Sequence, residues 1–424
     1  MASSVRRAIA CATATATLAL TGAATAAGTP NGSRTLGLVV THFYYATLDG
    51  KEDCPNGPTQ GMRRLALPTL QAKLPPAELA RVMQPEHEQD LVLLSQAFAL
   101  GGVAYQGAAD VRAYLIGPKL SKNGKTEVAR QGVGGRGIAD QCLFPAEFDN
   151  PPLQESQAKI GYGLDLDGGA AACPHQEFTS PTGVSGVDNQ MQRVIGCIDG
   201  YRHDVSFLPG ALEDYSDGSF RDGAYTSLIE ITGVDDLRND PDVQVTIWDS
   251  KDATPFDSKG QGLSNYSLTA RPVLDGVANT TRGRIVDGVL TTEPAELATP
   301  RRGESSSYPY RFRGARLELN LLPGGGATGL LAGYMDIAEA YKAEVGYLGR
   351  FVTAQAAEID MSCPAFFRAL HKLADGYKDP ATGKCTALST AFKIDAVPAF
   401  VIHPDPEPKT AEMPKQAAQL PARR

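Results

Sequence analysis

The chain has 424 residues, 40 of them Lys or Arg and 48 Asp or Glu, for a formal charge of −8. With 42% hydrophobic and 21% charged residues it has a globular composition, which excludes a disordered chain. The acidic balance argues against general nucleic-acid binding, which needs a basic face.

Arg6 and Arg7 precede an uncharged apolar stretch, 8–22, followed by small residues at 23–27. That order of positive charge, apolar run and small residues predicts a cleaved signal peptide over 1–26, hence a periplasmic or secreted protein. The apolar stretch is shorter than the ~20 residues of a membrane span, and no later run reaches ~18, so no integral membrane segment is expected in the mature chain. Six cysteines follow the leader: Cys54, Cys142, Cys173, Cys197, Cys363 and Cys385. An even count in an oxidising compartment reads as disulfides. Loop-closure entropy favours near partners, which predicts Cys173–Cys197 and Cys363–Cys385 and leaves Cys54–Cys142. No closely spaced cysteine pair suits zinc, and no haem attachment motif occurs.

Residues 27–154 read as an N-terminal α+β part. A β-branched and aromatic strand at 35–48 is followed by helices at 76–83 and 86–100 and by a hairpin about Asn123–Gly124. The Asp149-Asn150-Pro151-Pro152 run marks a boundary, and a split there into two independent domains is the alternative architecture. Beyond it come an extended segment at 159–166, a helix at 187–198, and strands at 227–232, 243–248, 284–291 and 316–322. A Gly324-Gly325-Gly326 turn then leads into a strand at 330–337. Arg311 and Arg313 would share the face of Leu317, Leu319 and Leu321 unless Gly314 is a bulge, and the bulge is preferred because it turns Tyr310 and Phe312 inward. A helix carrying Phe366, Leu370 and Leu373 should stop at Asp375–Gly376, and the Pro-rich 403–424 should be a disordered tail. The expected fold is α+β but mainly β: an antiparallel, jelly-roll-like β-sandwich over 155–402 with peripheral and C-terminal helices.

The densest group of chemistry-bearing residues is Asp165, Asp167, Asp188 and Asn189. Side chains alternate along a strand, so Asp165 and Asp167 share a face, while Asp188–Asn189 stands at a helix start. Two readings stand: an Asp-rich turn plus a helix cap, or a structural Ca2+ site built from hard oxygen ligands. EF-hand spacing is absent. The runs Asp165-Leu166-Asp167-Gly168, Phe178-Thr179-Ser180-Pro181-Thr182-Gly183 and Gly186-Val187-Asp188-Asn189-Gln190 resemble a group of exported bacterial proteins, as do the strand-rich middle and Cys-containing end. The resemblance covers a little over half the chain and implies no activity.

The six histidines form no local zinc pair; His175 and His203 are the two of interest because they stand near the acidic cluster. Residues 132–137 fit G-x-G-x-x-G but lack the strand–helix context of a nucleotide site, so no nucleotide is expected. Two function classes follow. One is a binding or structural module of the cell envelope, with an unknown ligand or envelope partner. The other is an exported hydrolase acting on glycans or esters through carboxylates near Asp165 and Asp188.

Overall fold

A computed structural model describes residues 33–50, 52–55, 71–72, 74–84, 145–147, 152–169, 173–202, 211–274, 278–301, 309–347 and 363–404. The expected signal peptide, the helix at 86–100, the Asn123–Gly124 hairpin, the 132–137 loop, Cys142, His203 and the tail beyond Pro404 lie outside the described residues.

The strands are β1 (Arg34–Tyr45), β2 (Phe178–Thr179), β3 (Ser185–Val187), β4 (Ser227–Val234), β5 (Asp240–Ser250), β6 (Tyr266–Arg271), β7 (Thr280–Val286), β8 (Val289–Thr292), β9 (Ala295–Thr299), β10 (Tyr310–Leu321), β11 (Ala327–Asp336), β12 (Gly376–Lys378) and β13 (Cys385–Ile402). The helices are α1 (Pro76–Val82), α2 (Gln190–Ile195), α3 (Ala211–Arg221), α4 (Ile337–Tyr347) and α5 (Cys363–Leu373).

Eight strands close on themselves in the order β1–β4–β5–β7–β8–β10–β11–β13 and back to β1, every pair antiparallel. The architecture is therefore a closed β-barrel with extra strands, and the expected two-sheet sandwich is corrected. The in–out alternation of each strand is the same in a sandwich and a barrel, so it cannot separate them. Pairings remote in sequence decide the matter. β13, 18 residues long, pairs with β1 on one side and β11 on the other, and β5 pairs with both β4 and β7, so neither edge stays open. The first strand of the expected N-terminal part is thus a barrel strand. β6 runs parallel to the end of β13, β9 pairs with the first half of β10, and β12 pairs with the start of β13.

Local signals set several of these elements. In β10, Leu317 and Leu319 are fully buried while Glu318 and Asn320 face out. The Gly314 bulge is present: Gly314 has φ +58°, the register with β11 shifts between Arg313 and Arg316, and Tyr310 and Phe312 are buried. The expected strand at 284–291 is instead a hairpin, because Asp287 and Gly288 take φ +51° and +85° and reverse the chain between β7 and β8.

One continuous apolar core fills the barrel and runs out of one end to Met191, Val194 and Ile195 of α2, Ile337 and Ala340 of α4, and Phe366 and Leu370 of α5. Phe43 stacks on Phe392 with ring centroids 4.5 Å apart. A smaller cluster, Ala46, Leu166, Ala332, Tyr334, Ala387 and Ala391, lies on the outer face of β11 and β13, under the excursion 160–189.

Disulfide bonds join Cys54 to Cys197 and Cys173 to Cys385, with Cα atoms 5.7 and 6.4 Å apart. Cys363 is also disulfide-bonded. The short-range pairings expected for Cys173, Cys197, Cys54 and Cys385 are corrected. These partners are 143 and 212 residues apart, and the fold brings them together where loop entropy alone would not.

Candidate functional site

The excursion, described over 160–169 and 173–189, lies on the outside of the barrel and is fastened at several points. Leu164 bridges to Asp188, and Ile160 to Thr179. Gly163 permits the first contact, since a Cβ there would stand 2.5 Å from the Asp188 carbonyl oxygen. Asn189 caps α2 through its side-chain oxygen to the Gln192 N–H, and its amide donates to the carbonyls of Ala46 and Tyr162. The Cys173–Cys385 bond ties the far end to β13.

Between excursion and barrel lies a knot of acids, with Asp188 buried and Asp167 and His175 half-buried. Asp188, 1% exposed, accepts the Leu166 N–H at 2.7 Å on one carboxylate oxygen and faces His175 Nε2 at 2.8 Å on the other. His175 Nδ1 faces the Cys173 carbonyl at 3.0 Å. Both ring nitrogens therefore face acceptors, an arrangement satisfied when both carry hydrogen, as in imidazolium. The hydrogen bond to Asp188 outweighs burial and raises the His175 pKa to about 9. Ligand atoms of Asp167, His175 and Asp188 all lie within 4.8 Å of one another. Asp167 accepts the Gly169 N–H on Oδ1, while its Oδ2 is buried without a partner.

A fourth group, Asp375, follows α5. It is 1% exposed; Oδ1 accepts the Ser389 N–H at 2.7 Å and Oδ2 is buried without a partner. Burial raises its pKa to about 6, and the charges of His175 and Asp188 are both felt there. Ser389 Oγ in turn accepts the Gln190 N–H at the start of α2, which places Asp375 beside the Asp188 turn. Burial, then Asp375, Asp188 and Asp167, push the Tyr334 hydroxyl well above its ordinary range.

Of the four expected ligands, the structure thus brings Asp167 and Asp188 together. Asp165 is exposed and accepts the Gly168 N–H, and Asn189 is occupied as a cap and clamp. His175 was legible as a neighbour of the acids. Asp375 was read only as a helix stop, and nothing local in the sequence distinguishes it from one.

Beside the knot the surface opens into a groove of about 600 Å3. Its floor is the outward face of β10, β11 and β13, and its wall is the loops around Tyr162–Asp165 and Ser180–Val184. Arg316 donates to the Asp165 carbonyl, and the Lys393 ammonium lies 4.3 Å from the Tyr162 ring centroid. Glu318, Asn320 and Asp395 are exposed along the floor.

A second buried polar cluster lies inside the barrel end. Glu344 accepts from the hydroxyls of Tyr45 and Tyr201 at 2.7 Å each and of Tyr310 at 3.0 Å, with Arg301 at 3.5 Å. Burial pushes all three tyrosines well up, keeping them as donors. The cavity around them is about 30 Å3, room for about one water.

No family model matches the chain, and no curated protein or solved structure matches it either.

Proposed function

We propose that this is an exported, disulfide-stabilised binding protein whose outer groove takes a short glycan. The observation that carries this reading is the groove itself. It combines one aromatic platform, Tyr162, with donors (Arg316, Lys393) and acceptors (Glu318, Asp395) spaced along the outward face of adjacent strands. Sugars present hydroxyl edges and apolar faces, so such a lining suits them. The disulfides support an oxidising compartment, and among the described residues no helix is long and apolar enough to cross a membrane.

Binding is preferred over hydrolysis because the acids expected to do the chemistry are separated. Asp165 borders the groove, but Asp188 is sealed beneath it against His175 and Leu166. The test is titration calorimetry of the full chain against a panel of soluble cell-wall oligosaccharides. One class should bind without being cleaved, and Tyr162→Ala and Lys393→Ala should each weaken it about tenfold with unchanged melting temperature. Absence of binding across the panel would overturn the proposal, and release of new reducing ends would transfer it to the hydrolase class.

A further inference from the structure

The acid knot has a defect that its hydrogen bonds do not remove. Asp167 and Asp188 meet the His175 imidazole, and Asp375 stands near enough for its charge to be felt there, so the carboxylates outnumber the one imidazole. Two carboxylate oxygens, Asp167 Oδ2 and Asp375 Oδ2, are buried with no donor. A buried anion without a partner is costly, and proteins meet that cost by neutralising the group or by placing a cation against it. Asp375 is the informative member. It comes from a different part of the chain, it is 1% exposed, and half of its carboxylate is left over beside the Asp188 turn although Ser389 satisfies the other half.

We propose that the knot is a site for a hard divalent cation of the calcium class, bound by the carboxylate oxygens of Asp167, Asp188 and Asp375. His175 is a positioning residue: its Nε2–H holds one Asp188 oxygen and the Leu166 N–H holds the other, which fixes the plane of that carboxylate. The available donors are oxygens, because both imidazole nitrogens are already committed. Oxygen donors suit Ca2+, with water completing the 6–8 ligands, better than the nitrogen- and sulfur-preferring transition metals. The ligand set differs from the one suggested by sequence spacing: Asp165 and Asn189 drop out and Asp375 enters. A cation here would join the excursion to the barrel beside the Cys173–Cys385 bond, and so stiffen one wall of the groove.

The test is thermal unfolding of the disulfide-intact full chain, stripped with EDTA and then titrated with CaCl2, MgCl2 or ZnCl2. Wild type should gain about 5 °C in millimolar calcium. Asp375→Asn and Asp167→Asn should lose that gain. In EDTA they should melt at or above wild type, because each removes an uncompensated charge; a purely structural role for the carboxylates predicts the opposite sign. A calcium gain retained in both variants would overturn the site, as would no gain with any of the three ions. A zinc gain that exceeds the calcium gain and vanishes in His175→Gln would make the imidazole a ligand and overturn the cation class.

Discussion

The two buried polar clusters are built from similar parts and balanced differently. Around Glu344 a single carboxylate receives three tyrosine hydroxyls and faces Arg301, which itself donates to the Ala343 carbonyl at 2.7 Å. Around Asp188, the Asp167 and Asp188 carboxylates gather about one imidazole with the charge of Asp375 close by, and two oxygens, Asp167 Oδ2 and Asp375 Oδ2, have no donor. The first arrangement is complete without any further species, and its cavity holds about one water. The second is incomplete, and it lies beside the open groove. Complete buried networks hold a fold together; incomplete ones are where a ligand is to be sought.

The sharpest way to break the comparison is Glu344→Ala. It strands a buried guanidinium and three hydroxyls and should cost about 3–5 kcal/mol in urea unfolding, with no dependence on calcium. The sign should differ from that of Asp375→Asn in EDTA. Next comes the double change Cys173→Ala, Cys385→Ala. Opening a link 212 residues apart should cost about 2–4 kcal/mol and raise hydrogen exchange in the 160–189 excursion, while amides around Glu344 keep their protection. A non-reducing peptide map should recover Cys54–Cys197 and Cys173–Cys385. Asn189→Ala removes an α2 cap and two clamps to backbone carbonyls and should cost about 1–2 kcal/mol by the same urea assay.

The smallest effect concerns a carboxylate in neither cluster. Burial raises Asp249 to about 6 in spite of its 2.6 Å pair with Arg271. The folded state then keeps a proton that the unfolded state has released. Its contribution is full below the ordinary carboxylate range and is lost as pH climbs through about 6. Melting temperature against pH should therefore fall less steeply over that window in Asp249→Asn than in wild type.

Much of this was visible in the chain before folding was considered. Alternation in β10 and the leucine face it creates are local, and so is the conflict at Arg311 and Arg313 that Gly314 resolves by bulging. The helix of Phe366 and Leu370 is equally local. Closure was not legible, because it rests on Val39 meeting Val397 and Tyr45 meeting Phe392 across most of the sequence. The disulfide pairings were missed because loop entropy ranks near partners first, whereas the folded chain juxtaposes distant ones. At the acid knot, the strand face expected to hold Asp165 and Asp167 together does not form: 165–167 make no strand, and Asp167 comes to Asp188 beside the Leu164–Asp188 bridge. Its fourth member was not legible either, since Asp375 meets the others only once β13 has been laid against β11 and β12.

The β1–β13 seam has a consequence for how the molecule is made. A polypeptide delivered amino end first holds β1 from the outset, yet the strand that seals it ends at Ile402. Until then β1 has β4 on one side and a bare edge on the other. Cys54 can meet Cys197 long before Cys385 has emerged to meet Cys173, so oxidation should be ordered, and a nascent chain arrested near residue 350 should hold the first bond and lack the second. Until β13 arrives, that exposed edge is a liability of the topology.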